Sequence, residues 1–312
     1  MIEVMLTLFA IVVVGYVAGK KEYMGGTFDK RLSKLVIDIT CPALILSSAM
    51  TGELPDRRYI LPLLGISVLT YLLLTGVAIL LPRFLTKKKD DEGVIGFAMM
   101  FGNVGFMGYP VIASIFGHEA IFYAAVLNVV NTFTVFTVGT MLIVRNNQST
   151  AAEKDMSKKK MLRKVLYSTP MLSAYLTMLI VALEIKDIPE FISQPLTMIG
   201  NITVPAALLI IGSSMSNLPI RSLLGNRAVY ATTLMRLAVL PVAIHFLFLA
   251  LGWFSPFVVG INTVVIAMPV ATYGTILCLR HGKDTTLITE VTFITTLLSM
   301  LTIPLLVTYI LN

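Results

Sequence analysis

The chain has 312 residues, 56% of them hydrophobic and only 13% charged, with a formal net charge of +7 and two cysteines. Its mean hydropathy is +0.86, more apolar surface than a soluble chain of this length can hide, so composition excludes a soluble domain and indicates an integral membrane protein. Cys41 and Cys278 both fall in apolar stretches, which argues against a disulfide framework or a metal site and for two small buried residues.

A spanning helix needs about 20 apolar residues. Hydropathy divides the chain into ten such segments, near 3–19, 31–50, 58–82, 93–116, 119–144, 162–185, 191–215, 227–252, 256–280 and 285–311. The first has no basic residue ahead of it and no small-residue cleavage site before Lys20-Lys21, so it is expected to persist as a helix and not to be removed as a signal peptide.

The second segment carries Asp38 a turn or two inside its cytoplasmic end, with Thr40 beside it. A carboxylate at that depth is costly unless paired or solvated, which makes Asp38 a candidate for ion or proton coupling. The duller role is a helix-end residue that reaches water or pairs with Lys34.

The fourth segment contains Phe101-Gly-Asn-Val-Gly-Phe-Met-Gly-Tyr-Pro-Val-Ile-Ala113. Glycines at 102, 105 and 108 weaken a helix there, and Pro110 removes a backbone donor. Freed backbone groups in a bilayer must be satisfied by protein or by a lined cavity, so a break predicts a site near Asn103, Gly105, Tyr109 and Pro110. In the fifth segment Asn128 and Asn131 share a helix face and are expected to hydrogen-bond between helices, as is Asn262 in the ninth.

Residues 146–160 are polar and charged and form a cytoplasmic linker between residues 1–145 and 161–312. Beyond it, Asn201-Ile-Thr203-Val-Pro205-Ala-Ala-Leu-Leu209 resembles Asp38-Ile-Thr40-Cys-Pro42-Ala-Leu-Ile-Leu46, an offset of 205 − 42 = 163. Asn201, Thr40 and Thr203 therefore join Asp38 as coupling candidates. Tyr109-Pro110-Val111 matches Met268-Pro269-Val270 more weakly, at 269 − 110 = 159. Two copies of five helices must cross the membrane in opposite senses, the inverted-repeat plan in which discontinuous helices, here the fourth and ninth, cross near the midplane. Pro269 and Thr272 complete the expected site.

Arg236 lies well inside the eighth segment. Three roles are open to it: a bidentate contact to a substrate carboxylate, a structural partner of Asp38, or a snorkelling cation. His245 in the same segment is expected to pack. Glu290, near the start of the last, is expected to make an interfacial contact.

Charge sets the topology. The odd connections with their helix ends hold 20 of the 24 lysines and arginines, the even ones only Arg57, Arg58 and Lys186. By the positive-inside rule the odd loops are cytoplasmic and both termini extracytoplasmic. A distribution that follows the membrane in this way also removes nucleic acid as the reason for the basic charge.

Gly102-Asn-Val-Gly105 with Gly108-Tyr-Pro110, Met268-Pro-Val-Ala-Thr272, and Ser299-Met-Leu-Thr-Ile-Pro-Leu-Leu306 resemble the auxin efflux carrier family, which includes plant auxin exporters and bacterial malate permease-like proteins. The resemblance covers essentially the whole chain. It implies an all-α, ten-helix fold similar to bile-acid transporters, with a scaffold and a transport domain, and a homodimer. Plant members carry two asparagine-type positions around the first crossing proline. Here Asn103 lies seven residues earlier and Tyr109 directly precedes Pro110, so an auxin-type carboxylate site is not carried across. The short central loop points to the compact bacterial type.

No Gly-x-Gly-Asp aspartate pair, Ser-His dyad or His-Glu-x-x-His helix is present, so an intramembrane enzyme is not expected, and no cofactor is called for. The expected function is a secondary transporter for a small organic anion, a mono- or dicarboxylate, coupled to H+ or Na+ or operating as a uniporter. A channel or membrane sensor with a polar midplane cavity is the alternative.

Overall fold

A computed structural model describes residues 2–50, 54–145, 163, 166, 167–185, 188–216, 227–281 and 283–311. The linker expected at 146–160 lies outside the described residues, as do Arg221 and Lys186. Among the described residues the fold is helical, and its single strand-like feature is an isolated antiparallel pairing of Gly102 with Val270.

In chain order the helices are α1 (Ile2–Lys20), α2 (Gly26–Leu35), α3 (Cys41–Ser47), α4 (Ile60–Leu80), α5 (Pro82–Leu85), α6 (Lys89–Met100), α7 (Tyr109–Phe116), α8 (Ala120–Thr134) and α9 (Thr140–Val144). They continue as α10 (Thr169–Ala182), α11 (Glu190–Asn201), α12 (Thr203–Ser216), α13 (Arg227–Leu234), α14 (Leu240–Leu251), α15 (Pro256–Ile266), α16 (Tyr273–Arg280) and α17 (Thr286–Leu306). Continuous helical stretches over Arg57–Leu85, Ala120–Val144, Glu190–Ser216, Arg227–Leu251 and Thr286–Leu311 are long and apolar enough to cross a membrane. Shorter apolar helices fill Val104–Phe116, Thr169–Ala182 and Pro256–Ile266. The protein is a multi-pass membrane protein.

Several helices are joined by five-residue π turns. Those at Val36–Thr40, Val104–Gly108 and Met235–Val239 are each followed, two residues on, by Pro42, Pro110 or Pro241. The cause is local: proline has no N–H for the carbonyl four residues back, and its ring pushes that carbonyl away, so the turn widens.

The chain divides into two compact units, each drawing on both halves of the sequence. The first comprises Met1–Leu61, Val104–Val129 and Tyr167–Pro219. Within it α1 and α12 approach at backbone distance, because a Cβ on Gly15 would strike the backbone of Leu209 and one on Gly212 would strike Val12 and Tyr16. Small residues allow this close packing where lipid supplies no hydrophobic drive. Gly200 of α11 lies as close to the backbone of Leu44 in α3, and Thr177 of α10 donates to Ile45 O at 3.3 Å. Val36, Ala206 and Ile210 form a small core with Met24, Leu32 and Phe106 against it.

The second unit comprises Pro62–Asn103, Val130–Leu166 and Ile220–Asn312. Gly93 packs on Leu142 O, Gly96 on Ala78 O and Gly139 on the rings of Phe97 and Phe101. Phe97 and Phe101 lie 4.9 Å apart, and Phe101 stacks on Tyr71 at 6.0 Å.

Candidate functional site

In the second unit two helices stop and their extended ends meet. Helix α6 closes when Phe101 N–H donates to Phe97 O at 3.0 Å, and the chain then straightens, with Phe101 at φ −111°, ψ 122°. Helix α15 ends at Ile266, and Pro269 in the segment that follows has no N–H with which to continue a helix. The two segments satisfy each other. Asn103 N–H donates to Pro269 O at 2.7 Å, and Ala271 N–H donates to Phe101 O at 3.0 Å, on either side of the Gly102–Val270 pairing. Val270 N–H donates to Thr295 Oγ1 at 3.1 Å, and that hydroxyl donates onward to Val291 O at 2.7 Å. Non-helical backbone at membrane depth is tolerated only when paired in this way.

Arg236 holds the crossing from a third direction. It projects from the π turn Met235–Val239, is 1% exposed, and donates through Nε to Met268 O at 2.9 Å and through Nη1 to Met99 O at 3.0 Å. Met99 O lies in the last turn of α6, and Met268 O lies two residues past Ile266, just beyond the end of α15. Such an end carries roughly −0.5 charge, so two sum to about −1, which one guanidinium offsets. Among the described ion pairs none includes Arg236 or Asp38; the counter-charge of this arginine is dipolar. Gly102 leaves room for it, since a Cβ there would strike Arg236 Nη2 and displace the guanidinium.

A buried polar layer adjoins the crossing. Tyr71 OH donates to Asn131 Oδ1 at 2.6 Å, and Asn262 Nδ2 donates to Thr70 Oγ1 at 3.0 Å, the interhelical bonds expected for both asparagines. His245 is buried, with Nδ1 at 3.0 Å from Thr263 Oγ1.

Of the expected substrate-site residues, the crossing brings together Asn103, Pro269 and Arg236, with Thr272 exposed just beyond. Asn103 is 7% exposed. Gly105, Tyr109 and Pro110 belong to the first unit. There Gly105 is half-buried in the π turn, and the buried Tyr109 accepts from Asn128 Nδ2 at 3.0 Å through its hydroxyl. The break falls inside the stretch expected from the sequence, 101–113, but at its start and not at Pro110. It occupies 101–103, whereas Pro110 lies inside the continuous helical stretch Val104–Phe116 and is accommodated by the π turn Val104–Gly108 before it. The pairing is antiparallel and centred on Gly102 and Val270, so Pro269 faces the 101–103 segment.

Of the coupling candidates, Thr203 Oγ1 donates to Thr40 Oγ1 at 2.9 Å, both buried, whereas Asp38 and Asn201 are exposed. Thr295 and the carbonyls of Met99 and Met268 are parts of the crossing that sequence reasoning did not name. A threonine within an apolar helix usually bonds its own i−4 carbonyl, so nothing local marks Thr295, and a backbone acceptor leaves no trace in side-chain identity. Among the described residues no three of His, Cys, Asp or Glu gather as metal ligands would.

Two broken helices crossing in a multi-pass protein are the geometry of carriers. A family model described as "Membrane transport protein" matches residues 1–307. An uncharacterized transporter of Methanocaldococcus jannaschii is 28% identical over 222 residues, covering 69% of this chain and 68% of the relative. Another, from Methanothermobacter thermautotrophicus, is 26% identical over 311 residues, covering 97% of this chain and 96% of the relative. This chain is therefore a membrane transporter and belongs to the membrane transport protein family, that of the auxin efflux carriers.

Proposed function

We propose that the protein is a secondary transporter that moves a small organic anion, a mono- or dicarboxylate, across the cell membrane by alternating access. The observation that carries this reading is the division of dipoles at the crossing. Arg236 answers the C-terminal ends of α6 and α15, while the helical segment that follows the second break begins at Tyr273 and presents N–H groups and a positive dipole end, which favours anions. Asn103, Pro269 and Thr272 supply contacts at the crossing, Gly105, Tyr109 and Pro110 are proposed from the sequence as further substrate contacts, and Arg236 shapes the site through the backbone it holds.

Ten spanning helices in two inverted copies, with both termini outside, are part of this proposal. Support comes from the Thr40–Thr203 contact, because residues related by a two-fold axis touch their own mates only at that axis. Asp38 and Asn201, flanking that pair in sequence, are proposed to couple transport to H+ or Na+, and the carrier to work as a homodimer.

Purified protein is tested by thermal unfolding against malate, succinate, lactate and indole acetate, each with and without Na+ and at two pH values. A ligand that binds only the folded state raises the midpoint by mass action. A carboxylate-specific rise, lost in Asn103→Ala, is expected. No rise with any carboxylate at concentrations well above millimolar points to a neutral or cationic substrate. Transport at the wild-type rate by the Asn103→Ala, Pro110→Ala double variant in proteoliposomes removes the site assignment.

A further inference from the structure

Where two helix C-termini converge inside a membrane, their carbonyl oxygens and a combined charge of about −1 make a place suited to a small hard cation, which takes oxygen ligands in exchange for its hydration shell. That place is filled here by protein. Arg236 Nε and Nη1 lie 2.9 and 3.0 Å from the oxygens of Met268 and Met99, and Nη2 takes the space that any Cβ at position 102 would need. The guanidinium is always protonated, so it neither gives up a proton nor leaves. We propose that Arg236 is a built-in counter-cation standing where a sodium ion would otherwise bind, so that the crossing takes no Na+ during transport and Arg236 determines the ion specificity of that point. Any Na+ or H+ coupling then arises elsewhere in the chain. The proposal rests on the carrier reading for its consequence in transport, but the ion response of the folded protein reports on it with no carboxylate present, so a failure here and a failure of the organic-anion reading are separate results.

The experiment compares the unfolding midpoint of the full-length wild type with those of Arg236→Ala and Gly102→Ala, in NaCl against choline chloride at equal ionic strength. In choline, Arg236→Ala is expected to melt lower than wild type, because two carbonyls have lost their donor. Sodium is expected to restore part of the loss, by about 2–4 °C. Wild type is expected to lack this additional rise, since any Na+ response through Asp38 is common to wild type and variants. Gly102→Ala keeps the arginine but displaces its guanidinium, so it is expected to gain a smaller Na+ response, and it decides the matter if Arg236→Ala does not fold. Arg236→Lys, which keeps the charge, is expected to stay insensitive to Na+. A sodium response equal in wild type and variants leaves nothing to assign to Arg236 and overturns the proposal, as does its absence from both Arg236→Ala and Gly102→Ala.

Discussion

Thr203 donates to the hydroxyl of Thr40 at 2.9 Å, and the two residues are 163 positions apart, the offset that aligns Asn201–Leu209 with Asp38–Leu46. Both are buried in the first unit. An interhelical hydrogen bond of this kind contributes on the order of 1 kcal/mol in a membrane protein. Thr40→Val and Thr203→Val are each expected to destabilise by about that amount, and the double variant by clearly less than the sum. Reversible unfolding in mixed micelles measures the cycle. Strict additivity means that the two hydroxyls do not act on each other.

The contact between α1 and α12 makes a steric prediction. A Cβ on Gly212 would meet the carbonyl of Val12, with Tyr16 N at 2.7 Å, and backbone cannot step aside as a side-chain tip can. Gly212→Ala is expected to cost about 1–3 kcal/mol, the range for overpacking. Gly76→Ala in α4, where a Cβ meets nothing within 4 Å, is the control and is expected to leave the melting temperature unchanged or slightly raised. Equal losses from both substitutions contradict the close approach of α1 and α12.

Thr295 is predicted to stabilise the crossing through a single backbone donor. Thr295→Val keeps the shape but leaves the buried Val270 N–H without its acceptor, at a cost of about 1–3 kcal/mol. Thr295→Ser retains the hydroxyl and is expected to recover most of that loss. Hydrogen exchange at the Val270 amide provides a local readout: it accelerates in the valine variant and not in the serine variant. Unchanged exchange in Thr295→Val shows that the amide is protected by something else.

Much of this architecture was legible in the sequence because it is set by local quantities. Hydropathy located helix in every segment expected to carry it, and the repeat around Pro42 and Pro205 identified two threonines that touch. Arg236 and Asn103 stood out because polar groups inside apolar stretches are costly. The break was legible to within the stretch 101–113, but its point within that stretch was not. Pro110 looks like a helix breaker in isolation, yet the helix Val104–Phe116 runs through it by widening to a π turn at Val104–Gly108. What opens the chain at Phe101–Asn103 is a pairing with Pro269 and Ala271, far away in sequence. The role of Arg236 was hidden for a related reason. The sequence offered it a carboxylate, a substrate or the lipid edge, and the structure gives it two carbonyls instead.

Because Met99 and Met268 are held by their backbone oxygens, their side chains are free to drift over evolutionary time without disturbing Arg236. A pairwise covariation signal between position 236 and either methionine is therefore not expected in related chains. The arginine's footprint falls on a third position, Gly102, where any Cβ requires the guanidinium to shift. In relatives where that arginine is lost, this constraint eases with it, and a larger residue at position 102 becomes the mark of a crossing held together by other means.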